Sequence, residues 1–256
     1  MLPEIEVFET RDLLTSAAAE CFVTLADAAI RARGKFTVAL SGGTTPQAMY
    51  GRLAEATYQS RVRWEDVHFF WGDERCVPAD DPANNAWMAR AALLDRVPVR
   101  GQQIHRVRTE DSPTEAAASY EAELRAAFGT PVGAPAHESN SRFDLVLLGL
   151  GADGHTASLF PGLAAADEAA RWVVAEYVPS VSMWRVTLTP VVINAAAEIV
   201  FLVAGSEKAS IRQRVLEGPH DPRQLPAQVI RPSAGRLRWL VDAAAASGLH
   251  HRAVDT

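Results

Sequence analysis

Five apolar runs of four to eight residues punctuate the chain: FTVAL at 36–40, VHFFW at 67–71, FDLVLLGL at 143–150, WRVTL at 184–188 and EIVFLVAG at 198–205. Runs this short and this continuously apolar predict strands buried in a mostly parallel sheet. Between them, Ala-rich amphipathic stretches near 10–33, 46–59, 84–96, 113–128 and 206–217 predict helices. Pro46 suits a first helical turn, and Ser112-Pro113 followed by Glu115 reads as an N-cap, a proline at the first helical position and a capping box. Strands alternating with helices predict an α/β architecture, a mostly parallel sheet with helices on both faces. The stretch 129–142, GTPVGAPAHESNSR, is rich in Pro, Gly and Ser, yet no change of composition flanks it. It predicts a long surface loop within a single domain spanning 1–256.

Composition adds limits. Apolar residues are 48% of the 256 and charged ones 22%, ordinary for a globular protein with a sizeable core. With 25 Lys and Arg against 31 Asp and Glu the net charge is −6, which argues against nucleic acid and anionic membrane as partners. An anionic ligand would therefore have to be held by local cations and backbone N–H groups, against the sign of the whole. The start MLPEIEVFET has no signal-peptide pattern, and no uninterrupted apolar run reaches the roughly 18 residues that span a bilayer, so a cytoplasmic protein is expected. Cys21 and Cys76 form neither C-x-x-C nor a Cys/His zinc spacing, so neither a metal nor a disulfide is expected. No coiled-coil seam is visible, which leaves a monomer or a small homo-oligomer.

In an open parallel sheet, ligands gather where strands end, so the residues following the apolar runs carry the candidate chemistry. Ser41, Gly42, Gly43, Thr44 and Thr45 follow FTVAL and precede Pro46, an arrangement suited to an anion at a helix N-terminus, or simply to a tight turn with ordinary capping. The P-loop pattern is absent, which favours a sugar phosphate over a nucleotide. After VHFFW come Asp73, Glu74 and Arg75: Arg75 offers a planar fork for phosphate or carboxylate and Asp73 an acceptor for sugar hydroxyls, unless the two merely pair and staple the loop. Gly149 to Thr156, GLGADGHT, matches G-x-G-x-x-G, but Asp153 would face a pyrophosphate and no first βαβ unit precedes it, so a dinucleotide is not indicated. Asp153 two residues before His155 on a glycine-rich turn suits an oriented general acid or base; the alternative is a capping Asp and a solvated His. Arg185 and Lys208 are either surface charges or, with Arg75 and 41–45, the surround of a phosphate. His68 reads as a core or edge histidine, and His250 and His251 as part of a frayed tail.

Taken in order, LSGGTTPQAMYGRLA, WGDERCVPADDPANNAWMARAALL, FDLVLLGLGADGHTASLFPG and RVTLTPVVINAAAEIVFLVAGSEKASIRQRVLEG cover most of the chain and resemble the 6-phosphogluconolactonase family. The resemblance implies a fold similar to glucosamine-6-phosphate deaminase and ribose-5-phosphate isomerase. It also implies a carboxylic ester hydrolase of the pentose phosphate pathway that converts 6-phosphoglucono-δ-lactone to 6-phosphogluconate without metal or cofactor. The related deaminases look similar through these segments, but where they carry I-A-F-N-E-P-G after the histidine this chain has Thr156 to Gly162, TASLFPG, with Phe160 at the glutamate position. Their D-E-Y is here Asp73-Glu74-Arg75. A non-catalytic sugar-phosphate sensor is the other alternative, but neither the first 35 residues nor the net charge supplies the DNA-binding helix-turn-helix that such regulators bring. On the lactonase reading His155 activates water and returns the proton, worth about 10²- to 10⁴-fold. Asp153 orients the imidazole or holds substrate hydroxyls, and backbone N–H groups around Gly151 to Gly154, with Arg75, stabilise the oxyanion by about 3 kcal/mol. The 6-phosphate is expected over residues 41–45 with Arg185 and Lys208, and the roles of Asn84 and Asn85 stay open.

Overall fold

The computed structural model describes residues 3–131 and 142–249. Its strands are β1 Glu4–Phe8, β2 Phe36–Leu40, β3 Val67–Trp71, β4 Asp73–Arg75, β5 Leu145–Leu148, β6 Val173–Val178, β7 Met183–Leu188, β8 Glu198–Val203 and β9 Arg236–Asp242. The helices are α1 Arg11–Arg33, α2 Thr44–Leu53, α3 Ala56–Gln59, α4 Asn85–Ala89, α5 Pro113–Phe128, α6 Pro190–Ile193 and α7 Ala209–Glu217. Six strands form a parallel sheet in the order β1-β9-β8-β5-β2-β3.

Continuous apolar runs are needed because both faces of this sheet are covered. Along β2, Phe36, Val38 and Leu40 join one core while Ala39 joins the other; along β5, Leu145 and Leu147 oppose Val146 and Leu148. The first core packs α1, α2 and α4 against the sheet through Leu14, Phe22, Ile30, Met49, Tyr50 and Ala89. The second packs α5, α7 and the smaller sheet, with Tyr120, Phe128, Ile211, Trp172 and Leu188. This is the period-two alternation of a strand applied to two buried faces. Helix α1 is long and apolar enough by length and composition to cross a membrane, although its sequence holds no uninterrupted run. Here its buried stripe of Leu14, Ala18, Phe22, Ala26 and Ile30 lies in the core.

The sequence-based assignment of WRVTL to the parallel sheet is corrected. Strand β7 sits in a separate three-stranded antiparallel sheet, β4-β7-β6, paired with β6 through a hairpin in which Ser182 takes φ +48°. Its apolar positions face the second core, and an apolar run alone does not say which sheet it joins. The stretch expected to be helical over 84–96 is α4 followed by a turn of π-helix at Arg90–Leu94, and 206–217 opens with a 3₁₀ turn before α7. The capping box at Ser112 and Glu115 is present. Of the expected loop at 129–142, residues 132–141 lie outside the described residues, as do His250 and His251.

Candidate active site

Neighbouring strands β2 and β5 send the chain to opposite faces of the sheet, β2 into α2 on the first core and β5 into the turn that leads to the antiparallel sheet. Such a divergence opens a crevice beyond the strand ends. A cavity of about 460 Å³ lies there, lined by residues 41–45, Asp73, Arg75, Gly151, His155, Phe160, Arg185 and Lys208 among others. Four segments far apart in sequence thus converge on one cavity. Asp153 and Gly154 do not line it: Asp153 stands beside the His155 ring, and Gly154 packs against Leu225 at φ +87°.

The imidazole is tethered at one edge. Asp153 Oδ1 lies 2.5 Å from His155 Nδ1 and accepts the His155 backbone N–H at 3.0 Å. Burial pushes the Asp153 carboxyl up, but its hydrogen bonds from the ring and backbone of His155 outweigh this and hold it below its ordinary value. A carboxylate on Nδ1 fixes the proton there and leaves Nε2 as the free basic nitrogen. Orientation of the imidazole is therefore the geometry the structure gives Asp153.

Cations line the same cavity. Arg75 and Arg185 are cross-strand partners on β4 and β7. Arg75 donates to the Ala83 carbonyl at 2.7 Å, so it does staple the following loop, though not through Asp73. The cation near Asp73 is Arg185, 3.9 Å from Asp73 Oδ2. Arg185 is 9% exposed and, among the described residues, that contact is its one ion pair; burial pulls its guanidinium below the ordinary value. The Nε atoms of both arginines are buried without a hydrogen-bond partner. Two like charges desolvated side by side are costly in the free protein, which marks a corner built for an anion.

The glycine-rich turn behaves differently from expectation. Gly151 N–H donates to His155 O at 2.8 Å and Gly154 N–H to Gly151 O at 3.1 Å, so the turn itself consumes two of the amides that the sequence offered as oxyanion donors, while Ala152 between them lines the cavity. Gly151 is required for another reason: a Cβ there would overlap Nδ1 and Cε1 of His155. Gly42 is likewise pressed against the Asn85 side chain. At the start of α2, Thr44 and Thr45 precede the first intrahelical bond, Gln47 N–H to Gly43 O at 3.0 Å, and so present their amides at a helix N-terminus.

Several supporting residues carried no local signal. Tyr50 on α2 accepts the Ser41 N–H at 2.9 Å and donates to Ser41 O at 2.8 Å, and Tyr120 on α5 does the same for Trp71 at 2.7 and 2.9 Å. Each phenol satisfies a backbone just past or at a strand end, where pairing stops. Glu74, 1% exposed, accepts the N–H groups of Arg75, Asn85 and Ala86 at 2.7–2.8 Å; burial raises its pKa to about 7 in spite of these bonds. Asn84 caps α4 by accepting from Trp87 N–H at 3.0 Å, and Asn85 donates to Asp73 O at 2.9 Å. Asp73 also accepts from Ser158 Oγ at 2.6 Å, which ties one of its carboxylate oxygens to the fold. Among the described residues no group of three or more His, Cys, Asp or Glu is placed to hold a metal ion.

Fold and cavity together define an α/β protein with a cavity beyond the strand ends that is lined by Arg75, Arg185, Lys208 and a histidine held by a carboxylate. The chain belongs to the glucosamine-6-phosphate isomerase/6-phosphogluconolactonase family, whose pattern it matches over residues 9–239. A 6-phosphogluconolactonase of Nostoc is 39% identical over 251 residues, spanning 97% of this chain and 99% of that one; one of Synechocystis is 40% identical over the same shares. The solved 6-phosphogluconolactonase of Trypanosoma cruzi superposes with a TM-score of 0.84 at 31% identity, covering 98% of this chain and 99% of that one. A monomeric glucosamine-6-phosphate deaminase shares the fold, with a TM-score of 0.77 at 20% identity over 95% of this chain and 99% of that one.

Proposed function

We propose that this protein is a carboxylic ester hydrolase that opens 6-phosphoglucono-δ-lactone to 6-phosphogluconate, in the oxidative pentose phosphate pathway, with His155 as general base. The single observation that carries the chemical reading is the 2.5 Å contact between Asp153 and His155 Nδ1, which leaves Nε2 as the free nitrogen of a ring that lines a cavity shared with Arg75, Arg185 and Lys208. Nε2 takes a proton from water as the water oxygen attacks C1. The tetrahedral oxyanion collapses, the C1–ring oxygen bond breaks, and the imidazolium returns the proton to the departing ring oxygen. With the amides of Gly151 and Gly154 spent in the turn, the oxyanion is assigned to Arg75 and to the backbone N–H of Ala152, both residues of the cavity lining.

The 6-phosphate is assigned to residues 41–45, Arg185 and Lys208. The amides that open α2 and the almost bare Arg185 guanidinium support this placement. Remote binding energy spent there positions C1 over Nε2. A δ-lactone is activated enough to hydrolyse slowly in water, so the step calls for neither a covalent nucleophile nor a redox group. The deaminase alternative is disfavoured by Phe160, which stacks on His155 where the deaminases carry a glutamate. The test is the decay of freshly generated lactone with and without protein, corrected for spontaneous hydrolysis. Accelerated decay is expected; decay at background together with ammonia release from glucosamine 6-phosphate would replace the lactonase with the deaminase, and binding with neither reaction would indicate a sensor.

A further inference from the structure

We infer that Phe160 is a positioning residue that fixes the plane of the His155 ring, a role that rests on His155 being the general base as proposed above. The two rings stack with centroids 4.1 Å apart and planes 26° from parallel. Phe160 is 6% exposed and part of the cavity wall, so the stack sits at the site and not beneath it. Asp153 holds one atom of the imidazole, Nδ1. A single tether fixes the tautomer but leaves the ring free to rock about it, and Nε2, on the far side of the ring, would sweep the widest arc. The face of Phe160 blocks that motion, while the Gly151 backbone closes in on the Nδ1 and Cε1 side so tightly that no Cβ fits.

The chain goes to some expense to bring Phe160 there. Residues 156–159 form a tight turn, with Leu159 N–H donating to Thr156 O at 2.9 Å and a bridge between the same two residues. Ala157 in this turn takes φ +47°, a left-handed conformation that costs a non-glycine residue about 1–2 kcal/mol. Such strain persists only where the surroundings over-determine it. Here Ser158, fully buried, bolts the turn down: its Oγ donates to Asp73 Oδ2 at 2.6 Å and its N–H to Thr187 Oγ1 at 3.2 Å. Phe160 is thereby tied through Ser158 to the strands that carry Asp73 and Arg185, and the base is held in register with the cationic wall.

A misplacement of about 1 Å in a reacting group is enough to cost about 10²-fold. Phe160→Leu keeps an apolar group but removes the flat face, so kcat is expected to fall about 10- to 100-fold while KM stays within about twofold, as for an interaction that matters only in the transition state. Phe160→Tyr keeps the face and is expected to remain within about threefold of wild type. Proton NMR of the His155 ring gives a readout apart from turnover: in Phe160→Leu its carbon-bound protons lose the ring-current shift that Phe160→Tyr preserves. Should Phe160→Leu fail to fold, Phe160→Met carries the same contrast. Full activity in the folded Leu or Met variant, or a Tyr variant as slow as the Leu one, would overturn the inference. His155→Ala separates this from the reading it rests on: if it is inactive while Phe160→Leu is fully active, only the positioning role fails, and if it is fully active the general base itself is lost.

Discussion

Replacing Arg185 with Met separates what this cation does for the ligand from what it does for the fold. In the free protein its guanidinium is almost wholly buried, 3.9 Å from Asp73 and beside Arg75. Two unit charges about 4 Å apart attract by about 4 kcal/mol at an effective dielectric of 20. Burying the guanidinium costs several kcal/mol, and repulsion from Arg75 adds to that cost. The terms nearly cancel, and Asp73 keeps its hydrogen bonds from Ser158 and Asn85, so Arg185→Met, which retains much of the side chain's apolar volume, is expected to change unfolding free energy by no more than about 1 kcal/mol. A bound phosphate changes the balance, because it supplies a hydrogen-bond acceptor to a guanidinium whose buried Nε has none. Loss of a buried charge-assisted contact of about 2–4 kcal/mol corresponds to a rise in KM of about 30- to 1,000-fold, with kcat within about threefold. Initial rates against lactone concentration, calorimetric titration with 6-phosphogluconate and urea unfolding measure the three quantities. A KM within threefold of wild type would place the phosphate elsewhere, and a stability loss above about 3 kcal/mol would make Arg185 the structural counter-ion of Asp73.

Tyr50→Phe leaves both the N–H and the carbonyl of Ser41 buried without a partner, at about 1–3 kcal/mol each; urea unfolding should show a loss of about 2–6 kcal/mol, and a loss under about 0.5 kcal/mol would refute the bridging role. Glu74 has a folded pKa near 7, above the ordinary 4.5, so the folded state binds its proton more tightly than the unfolded chain does. Stability should therefore decline as pH rises from about 4.5 to 7, by about 3 kcal/mol at 1.36 kcal/mol per unit, and in Glu74→Gln this part of the slope should vanish from unfolding curves collected across that window. Asp153→Asn removes the charge that fixes the tautomer; kcat is expected to fall at least about 10²-fold with KM little changed, and a variant of normal kcat would return Asp153 to a hydroxyl-binding or capping role.

The parallel sheet was legible because burial on both faces leaves an unbroken apolar run, as in β2, β3, β5 and β8. Strand β9 escaped notice because Arg236 and Arg238 interrupt it, and only the fold shows them neutralised by Glu198 at 2.8 Å and Glu6 at 2.9 Å. The other missed strands, β1 and β6, are sheet edges whose polar positions face outward, and β4 is too short to carry a period. At the site, residues 41–45, 73–75, 149–156 and Lys208 stood out because each follows an apolar run, whereas Arg185 lies within one and stood out only as a charge in an apolar setting. What could not be read is which atoms meet across them: the tether of Asp153 to Nδ1, the pairing of Asp73 with Arg185 in place of Arg75, and the spent amides of Gly151 and Gly154 are all set by backbone geometry. Tyr50 and Tyr120 look like ordinary core aromatics in sequence, and their hydroxyls acquire a purpose only where a strand ends.

The most direct test of the account is the rate of lactone loss under saturating substrate for His155→Ala against the wild-type protein, each corrected for spontaneous hydrolysis. With His155 as the base that activates water, the variant should lose at least about 10²-fold in kcat and still bind 6-phosphogluconate with wild-type affinity. A variant that turns over at the wild-type rate would contradict the account, since the cavity would then be hydrolysing the lactone with a base other than the one its geometry presents.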